Sequence, residues 1–203
     1  MPDLSHLGTG LRGKRELGNI LGVHGPQTPR GMQIADGYVR LVEKTLLEYQ
    51  QSRERLIRFL KEGDIDDYFR AQDCFESGVH SLHRAILYLD RLRALGLRQR
   101  DGSPFVPRPR DLEVLTNPVK ERVRKLRDLA EHLDKDIVSG RLPLEADIAI
   151  HLGWNKACLG TAEIAYVDLA RWVEQLHYFA LLLSRVELVV REPGSAQPEE
   201  ESA

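Results

Sequence analysis

Arg58-Phe59-Leu60-Lys61-Glu62-Gly63-Asp64-Ile65-Asp66-Asp67-Tyr68 is the stretch on which the fold turns. Upstream of it, Val39, Val42, Leu46, Tyr49, Leu56 and Phe59 recur at three- and four-residue steps, with a polar gap at Arg53. Downstream, Tyr68, Phe75, Val79, Leu82, Ile86 and Leu89 do the same. Each set lays an apolar stripe along one side of an α-helix. Gly63 ends the first helix, because glycine accepts the left-handed backbone that closes a helix. Asp64 begins the second, because its carboxylate can take the unpaired N–H groups of a first turn. The helices are predicted over about Gln33 to Glu62 and from Asp64 to about Leu95, where Gly96 stops the second. So short a connection forces the pair antiparallel.

Two further helices follow. Asn117 and Pro118 mark a helix start, since proline loses nothing at a first turn. This third helix runs to Ser139 and ends at Gly140. The fourth is expected from about Val167 to Val190, with Leu169, Trp172, Val173, Leu176, Phe179, Ala180, Leu183 and Val186 as its stripe. Residues 97–116, with Pro104, Pro107 and Pro109, read as a long irregular loop. Residues 141–165, broken by Gly153 and Gly160, read as a partly ordered connection with a short helix, and no segment shows clear strand alternation. Residues 1–31 read as a flexible arm, 32–191 as the helical bundle domain and 192–203 as an acidic disordered tail. The fold class is all-α: an antiparallel four- to five-helix bundle with disordered termini.

The chain has 203 residues, enough for one domain with tails, and 42% of them are hydrophobic, enough for a core. A net charge of -2 argues against a dedicated DNA-coating protein but leaves room for a local basic patch. Cys74 and Cys158 match no metal spacing and point to a reducing compartment. No apolar run reaches the roughly 18 to 20 residues of a membrane span. The first residues carry no apolar segment behind a basic start, so a cytoplasmic, membrane-free protein is expected.

The third helix carries Arg127-Asp128-Leu129-Ala130-Glu131-His132. Its own core stripe is Val119, Val123, Leu126, Ala130, Leu133 and Ile137. At about 100° per residue from that stripe, Arg127 falls near 80°, Glu131 near 120°, Asp128 near 180° and His132 near 220°. The charged set therefore faces away from the bundle. One reading is a solvated face laced by four-residue pairs, Arg124–Asp128 and Glu131–Lys135. The other is chemical. RNA brings its own nucleophile, the 2′-OH. A protein need only move a proton, which suits histidine, and neutralise a crowded phosphate, which suits the arginine fork. An outward Arg and His become a cleft when a second subunit covers them.

Arginine, a polar residue, three more residues and histidine, in a late helix of a four- or five-helix bundle, resembles the HEPN superfamily. The motif covers six residues, Arg127 to His132, and the bundle resemblance about residues 33–190. The resemblance implies a homodimer with the two motifs meeting in a cleft. It also implies a metal-independent endoribonuclease without cofactor, acting as a toxin, a defence effector or an RNA-processing factor. Arg127, His132 and Asp128 would be its catalytic set, RNA its substrate, and an antitoxin or regulatory protein a partner. The alternative is a non-catalytic helical module that binds a protein or nucleotide, including an inactive relative of the family.

Three other constellations compete. Arg171 and His177 form a second hit, but Trp172 replaces the polar residue and belongs to a core stripe. Glu76, His80 and His83 share one side of the second helix. They could ligate a metal; Glu76 and His83 could instead form a half-buried hydrogen-bonded pair, or one of those two could support the motif helix from behind. Arg98, Gln99, Arg100, Arg108 and Arg110 of the loop, with Arg12, Lys14 and Arg15 of the arm, could track a phosphate backbone or simply be solvated charges.

Overall fold

The computed structural model describes residues 1–20, 26, 28–99, 102–140, 149–184 and 188–189. The hairpin forms as its caps dictate. Helix α2 spans Pro29–Glu62 and starts on Thr28, whose hydroxyl accepts the Gly31 N–H at 3.1 Å. Gly63 closes it at φ 74°, with its N–H donating to the Phe59 carbonyl at 2.8 Å. Asp64 then accepts the Asp66 N–H at 3.0 Å and opens α3, Ile65–Ala94. The facing stripes, with Tyr38, Val42, Leu46, Phe75, Leu82, Ile86 and Leu89 all buried, form the spine of the core. Helix α4, Asn117–Val138, and helix α5, Tyr166–Leu183, pack against this pair. The Tyr38 hydroxyl donates to the Leu176 carbonyl at 2.8 Å and ties α5 to α2.

The molecule departs from an all-helical bundle in three places. First, residues 1–20 are not a loose arm. Leu4 and Leu11 are fully buried, and Leu11–Ile20 forms helix α1. Glu43 of α2 accepts the Gly10 and Leu11 N–H groups at 2.5 and 3.1 Å, so a carboxylate from another helix caps α1. Arg15 is buried, paired with Asp36 at 2.8 Å and donating to the Leu183 carbonyl at 3.3 Å. Residues 21–25 and 27 of the expected arm, and the expected acidic tail, lie outside the described residues.

Second, residues 151–165 of the segment after α4 hold a small antiparallel sheet where no strand was expected, and residues 141–148 of that segment lie outside the described residues. Strands β2, His151–Leu152, β3, Lys156–Leu159, and β4, Ala162–Ala165, pair in that order. Ala157, Leu159, Ala162 and Ile164 point inward, while Lys156 and Glu163 stay outside. Gly160, at φ 54°, supplies the two-residue turn. Third, the proline-rich loop is a covering layer of the core. Phe105, Val106, Leu112, Val114 and Leu115 are buried, and Phe105 stacks edge-on against Phe179 at 5.8 Å. Two 3₁₀ turns, Pro109–Asp111 and Glu113–Leu115, shape it. Its strand β1, Arg98–Gln99, pairs with β5, Leu188–Val189, in a place where the fourth helix was expected to continue.

Candidate functional site on helix α4

Val119, Val123 and Leu126 are buried, which fixes the rotation of α4 about its axis. The opposite face then carries Asp128 and His132 outward and leaves Arg127 on the flank, as their angular positions require. His132 is exposed. Arg127 sits on the flank, with its side chain 26% exposed, and Asp128 is 33% exposed. Leu129, Ala130 and Leu133 are half-buried.

Arg127 is held from two helices. Its Nε donates to Asp128 Oδ1 at 2.8 Å, and Nη2 donates to the same oxygen. Glu131 lies one turn on, with Oε2 at 3.5 Å from Nε. From α3, His83 presents Nδ1 at 3.5 Å from Arg127 Nη1. His132 shares an open surface with Glu121, Arg124, Lys125, Asp128, Leu129 and Lys135, all from α4. Arg127 opens on one side of Asp128 and His132 on the other. Among the described contacts no hydrogen bond joins Arg127 to His132 within one chain; Asp128 is the residue they share. The surface pairs include Arg124 with Glu121 at 2.7 Å and Arg127 with Asp128 and Glu131, where four-residue spacing had suggested Arg124–Asp128 and Glu131–Lys135.

His83 is half-buried and its imidazole is pushed below the ordinary histidine value of 6.5, first by burial and then by the Arg127 guanidinium. It is the member of the second-helix set that reaches the motif. Glu76 and His80 form a long pair at 4.0 Å, and among the described residues no group of three His, Cys, Asp or Glu side chains could hold a metal ion.

The second hit is structural. His177 is buried and meets the Gly8 carbonyl at 2.8 Å through Nε2, so this nitrogen is occupied. Arg171 pairs with Glu113 at 2.7 Å and with Asp168 at 2.6 Å, and Trp172 is fully buried. Three of the loop and arm arginines are engaged within the chain. Arg15 is inside, Arg12 pairs with Glu16 at 2.9 Å, and Arg98 donates to the Gly102 carbonyl at 2.7 Å. Arg100 lies outside the described residues.

No family model matches the chain, and neither a curated protein nor a solved structure does. No helix among the described residues is long and apolar enough to cross a membrane.

Proposed function

We propose that this chain is a metal-independent endoribonuclease of HEPN type, working in the cytoplasm as a homodimer through α4. The observation that supports it is the placement of Asp128 and the exposed His132 on the outer face of one helix with Arg127 on its flank, beside an open surface that a second copy of α4 would close. In the proposed reaction His132 takes the proton of a ribose 2′-OH. The freed oxygen attacks the adjoining phosphorus, a new P–O bond forms, and the bond to the 5′-oxygen breaks. That oxygen leaves with a proton from the partner subunit's His132. The product ends are a 2′,3′-cyclic phosphate and a 5′-hydroxyl. Arg127 neutralises the phosphate in the crowded intermediate geometry, where a charge-assisted fork counts most. Asp128 orients Arg127. Neither a metal nor a cofactor is needed, because the substrate carries the nucleophile. Such an enzyme suits a toxin or defence effector restrained by an antitoxin or regulatory protein.

The test is incubation of purified protein with single-stranded RNA in EDTA. Cleavage with 2′,3′-cyclic phosphate ends, blocked by a deoxy residue at the scissile position, is the expected result. One observation favours the alternative, a non-catalytic binding module: the Arg127 fork already faces two carboxylates of its own helix. Absence of cleavage by a pure dimer would decide for that reading.

A further inference from the structure

The second-helix histidine next to the motif is left over by the reaction as written. Arginine donates and never accepts, so the Arg127 Nη1 contact requires a lone pair on His83 Nδ1. Such a bond is open only to the neutral tautomer that carries its proton on Nε2. Among the described contacts, Asp128 engages the N–H of Nε and one on Nη2, and His83 engages one on Nη1. An N–H on each terminal nitrogen is left for a phosphate. Asp128 alone could not set this direction, because it belongs to the same helix and moves with Arg127. A partner on α3 ties the fork to the rigid core.

We propose that His83 is the positioning residue of this site, accepting one arm of the Arg127 fork from the neighbouring helix and aiming the other arms at the scissile phosphate. This rests on the ribonuclease reading above. The groups that face the His83 ring are Arg127, Asp128 and Arg124 of α4 and His80 of its own helix. Three of the four are cationic or can become so. Burial and Arg127 together keep the ring uncharged at neutral pH. Protonation removes the acceptor and sets a second positive charge against the guanidinium, so the fork loses its tie to α3 and is left with Asp128 and Glu131 of its own helix.

The experiment has two arms. In the first, the His83 ring is followed by NMR titration in the full chain and in Arg127→Ala. The titration midpoint rises in Arg127→Ala if the two groups meet; an unchanged midpoint overturns the proposal whether or not RNA is cleaved. In the second, cleavage is measured against pH for the wild type, His83→Asn and His83→Ala. Asparagine keeps an acceptor near the Nδ1 position and cannot be protonated. His83→Asn is expected to stay within about three-fold of wild type and to lose part of the acid decline. His83→Ala is expected to fall about ten-fold, the scale of one modest hydrogen bond. Equal losses in the two variants, or none in either, overturn the positioning role. A raised midpoint in a chain that cleaves no RNA defeats the ribonuclease reading and leaves the His83–Arg127 contact standing.

Discussion

Arg127 meets a carboxylate of its own helix at 2.8 Å and an imidazole of α3 at 3.5 Å, and these two contacts give the residue-scale expectations. Under the proposed function, Arg127→Ala abolishes most cleavage, since the phosphate loses its charge-assisted contacts. Asp128→Ala has a milder effect, because His83 still holds the fork. Rates per folded molecule, with folding checked by circular dichroism, separate the two; equal losses would contradict the assigned roles. His177→Ala should cleave as the wild type does, yet lose about 1–3 kcal/mol of stability, because the Gly8 carbonyl is left without its donor. His83 also makes a stability prediction. Its folded-state value lies below the ordinary 6.5, so between the two values the unfolded chain binds the extra proton. Stability is then full above 6.5 and falls as pH drops toward the folded value. Urea unfolding of wild type and His83→Asn across this range should converge at neutral pH and diverge in acid, with the wild type the weaker. The outward direction of His132 and the flank position of Arg127 were legible in the 100° periodicity. The meeting with His83 was only one of three readings, because periodicity orients residues on one helix and does not say which neighbour covers the flank.

Among the elements, the hairpin makes the cleanest prediction. Gly63 holds φ 74° and an added Cβ would touch nothing within 4 Å, so Gly63→Ala isolates backbone strain. A loss of about 1 kcal/mol in urea unfolding is expected, and no loss would contradict a left-handed cap. Arg15→Ala tests α1. It removes a buried cation from Asp36 and a donor from the Leu183 carbonyl, at a cost of about 1–3 kcal/mol. A flexible arm would register no change. The hairpin was legible because its caps and stripes agree. The first helix was not, since Gly8, Gly10 and Gly13 break its pattern and a buried arginine reads as a surface charge. The three-stranded sheet escaped because its strands are at most four residues long and two of its inward positions are alanine, which carries little hydrophobic signal. The covering loop escaped because prolines and arginines hid Phe105, Val106 and Leu112.

At the scale of the whole molecule, the surface beside His132 is formed by α4 alone and stands open, and Val138 at the end of that helix is 88% exposed. The proposed second subunit would cover both. Sedimentation at micromolar concentration is expected to give a dimer, and a monomer would contradict a shared site. The chemistry hangs on one side chain. His132 is exposed, so its removal should change stability by no more than about half a kcal/mol, and any loss of activity belongs to the reaction. The decisive measurement is cleavage of single-stranded RNA in EDTA by wild type and His132→Ala at equal dimer concentration. The account predicts 2′,3′-cyclic phosphate products from the wild type and none from His132→Ala; equal cleavage by both would contradict it.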